Sequence, residues 1–309
     1  MIELLKHTPY DGSTRPFTIA LKPLDLREWI EPDETLAAYL DEKQRLYAAI
    51  PGKVFLAQDA TDGAQRELLD LLVSHLLEHY PDIYRREDTL IHIEGCPCPV
   101  ETGDAAAPLR AASLLVPEDL ILMRRHEDGW RLVAGALCFP SSWSLEEKFG
   151  RTLQDIHIPV PDFGPGTRTA SLIDRIFDNL PADQPVQRFN WSLQAGGELY
   201  MPFSQRQLVQ RASRRPSKFS RDDEIAAQAF IRVERQTLRK LPRSGDIVFT
   251  IRIHLDPLSL LAKHSEGGRL AASFADQIEA LAPAQLEYKG LAADRDRLVT
   301  ILRAIRNRA

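Results

Sequence analysis

"RVERQTLRKLPRSGDIVFTIRIHL", residues 232–255, decides the fold. Two strand-length arms flank a Leu-Pro-Arg-Ser-Gly turn. In the second arm Ile247, Phe249, Ile251 and Ile253 fall on one face, and Thr250, Arg252 and His254 on the other. That period of two is the signature of a strand. The first arm has the same length but carries Arg232, Glu234, Arg235, Arg239 and Lys240. Alternation puts Arg232, Glu234 and Gln236 on one side and Val233, Arg235, Thr237 and Arg239 on the other. Two readings follow. The charges lace a solvated sheet face with cross-strand ion pairs, or they line a polar ligand pocket as a paired network, because a buried charge is costly without a partner.

Working outward, "VQRFNWSL" precedes this hairpin as a third strand, and "DLILMRRHEDGWRLVAGALCFP" reads as an earlier hairpin turning at "EDG". Between them lie a short capped helix, "SSWSLEEKFG", an irregular Pro- and Gly-broken run, "RTLQDIHIPVPDFGPG", and a helix, "TASLIDRIFDNL". "DETLAAYLDEKQRLYAAI" and "DGAQRELLDLLVSHLLEHYP" have helical spacing, and Pro81 stops the second. "TLIHIEG" reads as a strand and "CPCPVETGDAAAP" as a loop. The tail from Asp256 is helical, with "GRLAASFADQIEAL" and "AADRDRLVTILRAIRN" amphipathic. Residues 203–224 read as a long charged loop. The order predicts an α+β fold with a mostly antiparallel sheet and helices inserted mid-way.

The totals fit a globular enzyme or binding protein. The chain has 309 residues, 27% of them charged, and a net charge of −5. That balance gives no basic field for nucleic acid, and no run approaches a membrane span. No secretory signal is expected from "MIELLKHTPYDGSTRPF". Cys96, Cys98 and Cys138 form no disulfide framework, so a reducing, cytoplasmic compartment is expected.

Three local patterns carry chemistry. His75 to His79 form an H-x-x-E-H string, which on a helix presents two imidazoles to zinc with Glu78 as base, or is simply the polar side of an amphipathic helix. "CPC" offers two thiolates with no second pair. His157, in "LQDIHIPVP", sits between isoleucines and ahead of two prolines. It is either a buried hydrogen-bonded histidine or an axial ligand to a haem. No Gly-rich phosphate or dinucleotide fingerprint is present, and no nucleophile elbow.

Taken together, "EKQRLYAAIPGKVF", "AQRELLDLLVSHLLEHYP", "PEDLILM", "AGALCFPSSWSLEEKFGRTLQDIHIPVP", "VQRFNW" and "RVERQTLRKLPRSGDIVFTIRIHLDPL" resemble the haem-dependent oxidative N-demethylase family, alpha-subunit type. The resemblance runs from about residue 8 to about residue 290. It implies a PAS-like antiparallel sheet with inserted helices (119–258) that binds haem b. Around it come an N-terminal helical and extended region (1–118) and C-terminal helices (259–309). It further implies dioxygen-dependent demethylation of a small amine, dimethylamine in the characterised case, releasing formaldehyde. Electrons come from a separate flavin and iron–sulfur reductase that uses a nicotinamide cofactor.

On that resemblance His157 becomes the expected iron ligand. The last strands form the distal wall, where Arg232, Arg235 and Arg188 are candidate donors to the charge that builds as dioxygen is reduced. Alternation lets only one of Arg232 and Arg235 face the haem, and Arg232 acts with Glu234. Glu234 is expected to hold a cationic amine, with Asn190 as a neutral donor. Lys148, Arg151 and Arg239 are candidate partners for the propionates. The sequence departs from the family pattern at Pro117, at Ser142, where arginine is common, and at His254, which replaces a phenol and so becomes a candidate for substrate contact or a second iron ligand. A haem sensor or carrier without turnover is the alternative, although no output domain is visible. A zinc hydrolase built on His75 and His79 is the third reading.

Overall fold

The computed structural model describes residues 5–202 and 228–306; the segment read as a charged loop, 203–224, lies outside them. Ten strands are formed among the described residues: β1 (Lys22–Pro23), β2 (Phe55–Ala57), β3 (Tyr84–Glu87), β4 (Leu90–Ile93), β5 (Val100–Glu101), β6 (Asp119–His126), β7 (Gly129–Ala136), β8 (Val186–Ala195), β9 (Ala229–Lys240) and β10 (Ile247–Pro257). Seven make one antiparallel sheet in the order β1-β8-β9-β10-β6-β7-β2, and β3-β4-β5 make a small second sheet. The fold is therefore the α+β arrangement read from the sequence. The β6–β7 hairpin is followed by helices and then by β8, β9 and β10, and the last strand closes back onto β6.

The helices before the sheet are α1 (Leu36–Ala49), α2 (Pro51–Val54), α3 (Asp62–His79) and α4 (Pro108–Ser113); the inserted ones are α5 (Leu145–Lys148), α6 (Leu153–Ile156) and α7 (Arg168–Asn179). Helices Gly267–Glu279, Pro283–Lys289 and Arg295–Arg306 end the chain. Local reading missed the short pieces β1, β3, α2 and α4, and also α6 inside the irregular run, β5 inside the Cys-Pro loop, and β2, which adds to the sheet edge beside β7. β2 is held by a partner distant in sequence.

The β9–β10 hairpin is fixed at its turn by both ends of the chain segment and by a helix. Leu241 donates its N–H to the Asp246 carbonyl at 2.8 Å, and Gly245 takes φ +75°, which favours glycine. Glu67, on α3 and 2% exposed, accepts the N–H groups of Arg243 at 2.6 Å and Ser244 at 2.8 Å. The register pairs Arg232 with Leu255, Glu234 with Ile253 and Gln236 with Ile251.

Both faces of this sheet are covered, which decides between the two readings of the charged arm. The Arg232–Glu234–Gln236 face shares its layer with Ile247, Ile251 and Ile253 and with Leu145, Leu153 and Phe177 from the inserted helices. On the opposite face Ile231, Val233 and Trp191 pack on Leu270, Phe274 and Ile278 of the C-terminal helices. Arg232 is 0% exposed, Arg235 2% and Arg252 1%. The solvated-face reading is overturned: the arm is a buried charge network.

Asp119, at the start of β6, belongs to that network. Its carboxylate accepts the N–H groups of Cys138 at 2.7 Å and Phe139 at 2.9 Å. Complete burial pushes its pKa up to about 6, against the pull of Lys43 and those two amides. A carboxyl raised in the folded state contributes stability below its unfolded pKa and loses it as pH rises through the folded value. From about pH 4 to pH 6 the wild type should therefore lose roughly 2 kcal/mol relative to Asp119→Asn. Urea midpoints of both proteins across that range check it; parallel profiles would count against a raised Asp119.

Candidate active site

The Arg232 face of the sheet and the inserted helices pack as one layer, the His157 compartment, in which the Arg188 guanidinium is near enough to act on the His157 imidazole. Thr152 caps α6, its hydroxyl accepting the Asp155 N–H at 3.1 Å, and His157 ends the helix as its C-cap. Val160 N–H returns to the His157 carbonyl at 2.9 Å, so the residues before Pro161 form a tight turn. His157 Nδ1 lies 2.8 Å from the Leu153 carbonyl. A carbonyl can only accept, so Nδ1 carries the proton and Nε2 presents its lone pair. Nε2 has no hydrogen-bond partner among the described residues. Burial first, then Arg188 and Lys148, hold the imidazole pKa below its ordinary value, against the opposing pull of the Leu153 carbonyl. The group is thus a neutral, oriented nitrogen donor, the state that ligates a metal.

Lys148 and Arg151 flank this segment differently. Lys148 Nζ donates to the Ile156 carbonyl at 2.8 Å, one residue before His157, and fixes the end of α6. Its amine is engaged with backbone, not free for a carboxylate. Arg151 is exposed, and its side chain has no hydrogen-bond partner among the described residues.

The sheet wall opposite carries Arg188 and Asn190 from β8, paired in register with Gln236 and Glu234 of β9. Glu234 accepts from Gln236 Nε2 at 3.0 Å and Asn190 Nδ2 at 3.4 Å, and its Oε1 lies 3.8 Å from Arg232 Nε. Arg188 and Arg232 share one feature, a buried Nε without a hydrogen-bond partner among the described residues. Burial lowers the Arg188 pKa, with Glu234 and Tyr288 pulling the other way. A guanidinium with an unpartnered Nε near a free imidazole nitrogen suits a bound group that carries anionic oxygens.

Arg232 behaves otherwise. It donates to the Phe139 carbonyl at 2.6 Å, and to the Leu199 carbonyl and Gln194 Oε1 at 3.4 Å each. Those bonds tie β9 to the segment after β7 and to the end of β8. The two terminal nitrogens of Arg232 are thus engaged with Phe139, Leu199 and Gln194, while Arg188 makes no hydrogen bond to a described residue and is the less engaged of the two.

Three predicted site residues are not brought to His157. Arg235, Arg239 and His254 lie on the opposite sheet face, as alternation requires. The Arg239 guanidinium stacks over Trp29 at 4.3 Å. His254 Nε2 lies 3.3 Å from Glu31 Oε2, outside the His157 compartment. Arg235 shares that face, bonded to Gln187 Oε1 at 3.0 Å and to the carbonyls of Trp29 and Glu28. The H-x-x-E-H string also departs from expectation. His75 is 6% exposed and packs edge-on to Trp29, so it is core and not the wet side of α3.

Sequence reasoning missed Tyr288, in helix Pro283–Lys289. Its hydroxyl pKa is pushed up to about 12 by burial and then by Glu234, while Arg188 lowers it. Tyr288 is thus a neutral hydroxyl at the Glu234–Arg188 wall. No local pattern in "PAQLEYKG" signals this, because the contact exists only when the tail folds over β8 and β9. Gln236 was legible, being two residues from Glu234 on one strand face.

The alpha subunit-like model of the haem-dependent oxidative N-demethylases matches residues 20–299, which contain every residue of this compartment and most of the chain. The chain belongs to the haem-dependent oxidative N-demethylase, alpha subunit-like family.

Proposed function

We propose that this chain is the haem-binding catalytic subunit of a monooxygenase that dealkylates a small amine, releasing an aldehyde. The observation that carries the reading is a His157 Nε2 without a hydrogen-bond partner among the described residues, near Arg188, whose buried Nε likewise has none. Haem bound there supplies oxygen-activating iron and one-electron chemistry. His157 holds the iron, and Lys148 fixes the His157 backbone through the Ile156 carbonyl. Arg188 donates to anionic oxygen in the compartment, where low dielectric strengthens the interaction. Glu234, oriented by Asn190 and Gln236, binds the ammonium form of the amine. Arg151, exposed beside the His157 turn, is the cation available to a carboxylate at the rim. The described residues carry no flavin or nicotinamide fingerprint in their sequence, so a separate reductase supplies the electrons.

The deciding experiment is a visible spectrum of the purified protein, as isolated and after dithionite and carbon monoxide, followed by amine turnover with a reductase. A Soret band that shifts with carbon monoxide, together with amine-dependent formaldehyde, is expected. A carbon monoxide-binding haem with no turnover of any amine would leave a sensor or carrier. No defined haem spectrum after haemin addition would end the reading. Within it, Glu234→Gln keeps the hydrogen bonds and removes the charge. It should raise the amine KM by about 10-fold, the worth of one charge-assisted hydrogen bond, and leave the Soret position unchanged. An unchanged KM would remove Glu234 from amine binding.

A further inference from the structure

The rear face of the sheet holds a second cluster with metal-ligating chemistry, distinct from the His157 compartment. Among the described residues, His7, Glu31 and His254 are the one group of three His, Cys, Asp or Glu side chains whose ligand atoms all lie within 4.8 Å of one another. His7 Nε2 is 3.0 Å from both Glu31 carboxylate oxygens, and His254 Nε2 is 3.3 Å from Oε2. The two imidazole rings are 4.9 Å apart, edge to face. The side chains are 18%, 12% and 11% exposed, which leaves a narrow entry. They come from the N-terminal segment, from the stretch before α1 and from β10.

We propose that His7, Glu31 and His254 bind a first-row divalent cation of the zinc type. Two imidazoles and one carboxylate, with a fourth position open to water, form a donor set that zinc accepts. Metal–ligand bonds of about 2.0–2.1 Å in a tetrahedron separate the ligand atoms by about 3.3 Å. The 3.0 and 3.3 Å separations are close to that spacing. The carboxylate is held from outside by Lys6 Nζ at 3.4 Å and Arg235 Nε at 3.7 Å, and Asp256, two residues beyond His254, interacts electrostatically with His7. Lys6 and Arg235 oppose a dication and Asp256 favours it, so the site is weaker than one ringed by carboxylates. Its work is to pin the N-terminal segment to β10. His254 stands where the resemblance gives a phenol, which makes this a feature of the present sequence.

The test uses the full chain, stripped with chelator and titrated with Zn2+ or Co2+ alone. Metal content after gel filtration and the visible absorption of Co2+ are the readouts. One equivalent beyond any haem iron is expected in the wild type and in His79→Ala. In Glu31→Gln and His254→Phe affinity should drop by more than about 100-fold, since even an outer-shell partner of a metal ligand is worth 10- to 100-fold. His7→Ala, on a terminal segment, serves if either variant fails to fold. No uptake by the wild type, or uptake abolished in His79→Ala and kept in His254→Phe and His7→Ala, would overturn the proposal.

Discussion

His157→Ala should purify as a folded protein without the haem spectrum of the wild type, and amine turnover should fall by more than about 100-fold, beyond the effect of losing an outer-shell partner. The imidazole makes one hydrogen bond, to the Leu153 carbonyl. Losing one such bond costs about 1 kcal/mol, too little to unfold a chain whose sheet is covered on both faces. The loss is therefore local, and imidazole added to the medium should restore a Soret band by entering the space left by the side chain. Lys148→Met is the graded comparison. It removes the amine from the Ile156 carbonyl and leaves the ligand, so the spectrum should persist with weaker haem retention. His254→Phe, on the other face, should leave the Soret band untouched. An unchanged spectrum in His157→Ala would move the iron to another ligand and end the assignment.

The fold was legible in the sequence where residues act through local periodicity. Alternation along Arg232–Lys240 and Ile247–Leu255 placed Arg232 and Glu234 on one face and Arg235 on the other, and the register agrees. The "EDG" turn and the capped helix in "SSWSLEEKFG", which Ser144 caps, were legible for the same reason, since each is decided within a few residues. What could not be read is which sheet face the inserted helices cover. That choice separates His254 and Arg239 from His157, and it depends on packing across the whole chain. The commitment of Arg232 to the Phe139 and Leu199 carbonyls was equally hidden, because backbone acceptors carry no side-chain signal. The Tyr288 hydroxyl reaches the site from a helix about a hundred residues beyond β8, a contact that no window of sequence contains.

Arg232 and Arg188 make the sharpest test of that division, because the two buried arginines should fail in different ways. Arg232→Met leaves the Phe139 and Leu199 carbonyls without their donor and Glu234 without its neighbouring cation. Breaking a buried charge network by removing one partner costs roughly 3–5 kcal/mol. The urea midpoint should fall accordingly, with haem binding lost as a consequence of unfolding. Arg188→Met removes a guanidinium whose Nε has no partner among the described residues. Arg188 gains the Coulomb attraction of Glu234 but makes no hydrogen bond to a described residue, so its loss costs less than breaking the Arg232 bonds. Its urea midpoint should fall less than that of Arg232→Met. Turnover should nonetheless fall by about 100-fold, the scale of one lost donor to developing negative charge. The loss should appear in kcat with little change in amine KM, because Glu234 and Gln236 remain to bind the ammonium. If Arg188→Met were the less stable variant while Arg232→Met stayed folded and lost only turnover, the roles would be exchanged. The donor to reduced oxygen would then be Arg232, and its carbonyl bonds would have to open when the site is filled.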